Sequence, residues 1–141
     1  MLYLVTTEVS RIPIGYQIVM VDGTVPGWRK SPQDLHWDHH RPQGADIQID
    51  EMPVPTKSLM EDFAVKLPPC IVTPQLDADA CCAAAWFQLT RSCLKQSTVD
   101  RLRAIAWDCD HLIVPEAKLS QWAEFAAKAV VALKTTGATI V

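Results

Sequence analysis

Apolar positions along the chain fall first in short dense runs and later in spaced stripes, and the two patterns predict different elements. Residues 1–9 mix β-branched and aromatic side chains and predict a strand. After the Pro13-Ile14-Gly15 break, residues 16–21 predict a second strand, ending at Asp22-Gly23. Pro26, Gly27 and Pro32 mark 24–34 as loop; 35–40 read as extended, and 45–49 alternate as a strand. Ser58 with Glu61 three residues on forms a capping-box pattern and predicts a helix over 58–67. Residues 70–73 are a brief apolar strand, and the turn Asp77-Ala78-Asp79 opens a helix over 80–94. Ser97-Thr98-Val99-Asp100 caps a short helix to Trp107, which Asp108-Cys109-Asp110-His111 is expected to interrupt. Pro115 suits the first turn of a long final helix, 116–134, whose apolar face includes Leu119, Trp122, Phe125 and Leu133. Gly137 ends it, and 138–141 are strand-like. Strands followed by helices predict one α/β domain over 1–141. Its mainly parallel sheet is flanked by helices, with the acidic clusters at the carboxyl ends of strands, where such sheets bind ligands.

Composition narrows the function classes. Of 141 residues, 49% are hydrophobic and 21% charged, enough apolar surface to bury a core and exclude wholesale disorder. The formal net charge of -3 and the lack of any basic run exclude an extended nucleic-acid surface, leaving room for a single phosphate pocket. No apolar stretch approaches the ~20 residues of a membrane span, and the first residues lack signal-peptide features, so a cytoplasmic location is expected. Five cysteines without Cys-x-x-Cys spacing predict reduced, core-packed thiols and give no support to a zinc ribbon.

All four histidines lie in acidic clusters: His36, His39 and His40 with Asp34 and Asp38, and His111 with Asp108 and Asp110. Asp77 and Asp79 form a third acidic pair at a strand-to-helix turn. Carboxylate and imidazole are ligands for Mn, Mg, Zn or Fe, and crowded carboxylates repel unless a cation or proton compensates. Taken singly, each pair reads as solvated turn or cap residues. Three clusters at strand ends and helix starts, together holding every histidine, predict a metal site.

The segment Asp38-His39-His40 resembles the signature of the DHH phosphoesterases, with Val21-Asp22-Gly23 upstream as the family's strand-end aspartate. The run from Thr73 to Ala80 is similar to the family's His-x-x-x-Asp-x-Asp-Ala turn, with Thr73 in place of the histidine. The likeness spans roughly residues 16–90, in permuted motif order and without the family's C-terminal domain. It implies a DHH-like fold and a metal-dependent phosphohydrolase of phosphoesters or phosphoanhydrides, using two divalent ions, manganese or else magnesium. Asp22, Asp38, Asp77 and Asp79 would be carboxylate ligands, with Asp38 bridging, and His39 and His40 imidazole ligands. Asp38, His39 and His40 would be the catalytic set, and the partner a small phosphorylated substrate. His111 either supplies the imidazole missing at Thr73 or sits at a helix C-terminus against the dipole. Arg41 or Lys30 could hold the substrate phosphate. Trp37 and Trp107 are expected to pack as core or wall rather than to stack a base. The alternative is a non-catalytic DHH-like domain that binds metal or a protein partner.

Overall fold

A computed structural model describes residues 1–40, 45–89 and 92–111, the last four by backbone alone. Four strands form an all-parallel sheet: β1 (Leu2–Val5), β2 (Gln17–Val21), β3 (Leu35–Trp37) and β4 (Pro69–Thr73), in spatial order β1-β4-β2-β3. Among the described residues there are three α-helices: α1 (Lys57–Phe63) before β4, and α2 (Ala78–Gln88) and α3 (Gln96–His111) after it. This is the expected α/β architecture.

Position in the sheet follows from apolar content. Gln17–Val21 is buried at every residue and lies between β4 and β3, as a parallel strand covered on both faces should. Register pairs Val19 with Ile71 on one side and with Leu35 on the other. Alternate residues then serve two cores. Val19, Val21 and Ile71 pack with Trp37, Ala83 and Trp86 on the helical face. Ile18, Met20, Cys70 and Val72 form the other core, against Leu2, Leu4, Tyr16 and Trp28. Trp37 is wholly buried among Phe63, Trp86 and Phe87, so it is a core residue, as expected.

Several boundaries differ from expectation. The first strand stops at Val5, and Val9–Arg11 is a 3₁₀ turn. The strand expected over 45–49 reduces to one bridge between Ile47 and Trp37, followed by a 3₁₀ turn at Ile49–Glu51. The cause is local: the Asp46 carboxylate accepts the His36 backbone N–H at 2.7 Å, taking the donor a longer ladder would use. Thr56, not Ser58, caps α1, its hydroxyl accepting from Leu59 N at 3.1 Å, and the helix ends at Phe63. Asp77 caps the second helix two residues earlier than the expected start, and Leu89 ends it. Nor does Asp108-Cys109-Asp110-His111 interrupt α3, which runs through to His111. Weak helix formers cost only tenths of a kcal/mol each, too little to break a helix packed along α2. The long final helix and terminal strand lie outside the described residues.

Among the described cysteines, Cys70 and Cys82 are buried and Cys81 half-buried, while Cys93 is exposed, contrary to the core expectation. Burial pushes the Cys70 thiol up to about 11. No helix among the described residues is long and apolar enough to cross a membrane.

Candidate metal centre

The carboxyl ends of β2, β3 and β4 converge, and each delivers one acidic segment. At the end of β2, Asp22 adopts φ +49° and Gly23 φ +104°. A Cβ on Gly23 would lie 2.9 Å from Pro74 Cγ, so the Asp22-Gly23 turn closes only with glycine at that position. The turn keeps Asp22 only 3% exposed beside the β4–α2 connection.

After β3, the chain bends at His39 and His40, where Asp38 binds both backbones. Its Oδ1 accepts from His39 N at 2.8 Å, His40 N at 3.0 Å and His40 Nδ1 at 2.8 Å. These bonds fix the backbone after the strand and orient the His40 imidazole. An ionised Asp38 can only accept, so His40 Nδ1 donates and its Nε2 carries the lone pair. His36 Nε2 lies 3.4 Å from Asp38 Oδ2, 3.2 Å from Thr24 Oγ1 and 3.3 Å from the Gly23 carbonyl. Burial raises the Asp38 carboxyl, but the bonds from His36 and His40 outweigh it and hold the group well below its ordinary range. For His40, burial opposes the charge while the Asp38 bond and the Asp22 and Asp38 charges raise the imidazole above its usual value.

At the start of α2, Asp77 Oδ1 caps the helix by accepting from Ala80 N at 3.1 Å, and Asp79 sits buried in the first turn. Both carboxylates lie at the positive end of the helix dipole. His39 Nε2 stands between two acids, 3.3 Å from Asp22 Oδ1 and 3.2 Å from Asp79 Oδ2. Among the described residues, two groups of three side chains could hold a metal ion, Asp22/His39/His40 and Asp22/Asp77/Asp79, each with donor atoms within 4.8 Å of one another. Asp22 belongs to both. Its Oδ1 is buried without a hydrogen bond from any described residue, and its carboxyl is pushed up to about 7. Desolvation is the largest cause, reinforced by Asp77 and Asp79 and opposed by His39. A buried carboxylate oxygen whose nearest imidazole nitrogens, 3.3 and 3.5 Å away, form no hydrogen bond with it, among carboxylates that repel it, is what a cation would relieve.

The structure therefore brings Asp22, Asp38, His39, His40, Asp77 and Asp79 to one place. It departs from the expected roles at Asp38, which is in neither set; Asp22 takes the shared position, and Asp38 orients His40. Asp34, grouped with this cluster in the sequence, instead binds Ile18 N and Ser31 N, each at 2.9 Å, as a structural clamp. Thr73 does not replace the missing imidazole: its hydroxyl donates to the Gln75 carbonyl at 2.7 Å. Lys30 is paired with Asp46, and Arg41 lies outside the described residues. His111 is the last residue of α3, with its side chain outside the described set. His36, grouped with the acidic cluster in the sequence, is in neither group and lies instead against Asp38, on the face the period of two gives both. Comparison with family profiles, curated proteins and solved structures yields no match.

Proposed function

We propose that this chain is a metal-dependent phosphohydrolase, related to the DHH phosphoesterases, that cleaves a phosphoester or phosphoanhydride in a small substrate. The observation that carries this reading is Asp22: a buried carboxylate shared by two ligand sets, one oxygen lacking a hydrogen bond among the described residues. Asp22, His39 and His40 would hold one divalent ion, and Asp22, Asp77 and Asp79 a second, manganese or magnesium. The chemistry such ions supply when bound is a lowered water pKa and neutralised charge on the phosphoryl oxygens. The protein's own share is placement. Asp38 fixes the His40 tautomer, His36 holds Asp38, and the Asp77 cap locks the third acidic segment to α2. The buried thiols suit a reducing compartment, so a cytoplasmic location is part of the proposal.

Hydrolysis of bis(p-nitrophenyl) phosphate with added manganese tests the reading. Turnover should vanish with chelator and fall about 100-fold or more in Asp22→Asn. Manganese uptake without turnover of any phosphoester would make the chain a metal-binding module instead. Turnover that ignores chelator would overturn the metal reading.

A further inference from the structure

On the helical face of the sheet, beside the acidic centre, lies an open cavity of about 50 Å³. Tyr3 and Val5 of β1, Val21 of β2, Ile71 of β4, and Ala80 and Ala84 of α2 line it. Its origin is in the sequence. The first turns of α2 read Ala80-Cys81-Cys82-Ala83-Ala84-Ala85, side chains too short to reach the edge strand β1. The far wall is the ring of Tyr3, pinned by its hydroxyl donating to Gln88 Oε1 near the end of α2. None of the candidate ligands lines it, but two lining residues are their chain neighbours: Val21 directly precedes Asp22 and Ala80 directly follows Asp79.

Resting on the metal reading above, we infer that this cavity is the apolar subsite of the substrate, seating a short alkyl group carried on the phosphoryl group. Three observations converge on that class. The walls are apolar, so a sugar hydroxyl or a base edge placed there would lose its hydrogen bonds to water without replacement. The volume is about a third of the ~150 Å³ that holds benzene, which suits a few carbons. The neighbouring centre is acidic, so it recognises the anionic part only through bound cations and leaves binding of the remainder to apolar contact. Small-molecule sites commonly combine an apolar pocket with a few convergent polar groups in this way.

Calorimetry on the whole chain tests the inference in two steps, first with manganese alone and then with inorganic phosphate or n-butylphosphonate, whose P–C bond is not hydrolysed, added to the manganese-loaded protein. The butyl compound should bind about tenfold tighter than phosphate, the gain from roughly two buried methylenes. Ala84→Leu, which fills the cavity and touches no ligand, should abolish that gain while leaving manganese and phosphate affinity unchanged. Ala84→Val, a smaller change, should reduce the gain partway and serves where the leucine variant does not fold. Manganese uptake with no butyl preference, or a folded variant that keeps the preference, overturns the subsite alone. No manganese uptake overturns the metal reading and the subsite with it.

Discussion

Asp22 meets two demands at once: a left-handed backbone at φ +49° and a carboxylate buried among other acids. Aspartate and asparagine tolerate that backbone better than other non-glycine residues. Its raised carboxyl sets a pH dependence whose sign is fixed. The unfolded group titrates near 3.8 and the folded one near 7, so between those values the native state binds the extra proton. Stability of the metal-free chain should therefore fall as pH rises from about 4 to 7. Asp22→Asn should remove that loss, melting several degrees higher than wild type at pH 8 and about equally at pH 4, as thermal melts will show. Asp38 has the opposite sign, with a depressed carboxyl that contributes stability at neutral pH and loses it as acid titrates the unfolded chain. Asp38→Asn should lower the melting temperature at pH 7, with the difference narrowing below about pH 4. At Gly23, φ +104° and the approach of Pro74 predict that Gly23→Ala costs about 2 kcal/mol or more in a denaturant titration.

Elements place these residues, and most of the placement was legible in the sequence. Continuous apolar runs marked β2 and β4, and a strand-to-helix turn marked the Asp77–Asp79 segment, because burial on both faces and N-capping leave local signatures. What was hidden depends on side chains competing with backbone. Asp46 takes the N–H that would have extended the sheet, and Thr56 reaches Leu59 N before Ser58 can cap. That Asp22 would fall in both candidate groups and Asp38 in neither was equally illegible, since a motif names residues while the turn geometry decides which carboxylate faces which neighbours. Loss of the α1 cap in Thr56→Ala should cost about 1 kcal/mol by denaturant titration and leave manganese affinity unchanged, because α1 contributes no ligand. Asp77→Ala should cost a similar amount and also weaken the second ion.

At the scale of the whole molecule, three segments far apart in sequence meet because β2, β3 and β4 are parallel neighbours and each ends at the same edge of the sheet. Ions that bind this assembled edge and not the unfolded chain should raise the melting temperature with concentration. The central claim is a pair of ligand sets sharing Asp22, and electron paramagnetic resonance of the protein titrated with manganese tests it most directly. A magnetically coupled manganese pair should appear in the spectrum and be lost in Asp22→Asn. The spectrum of hydrated manganese at millimolar ion, or of a single bound ion with no coupling, would contradict it.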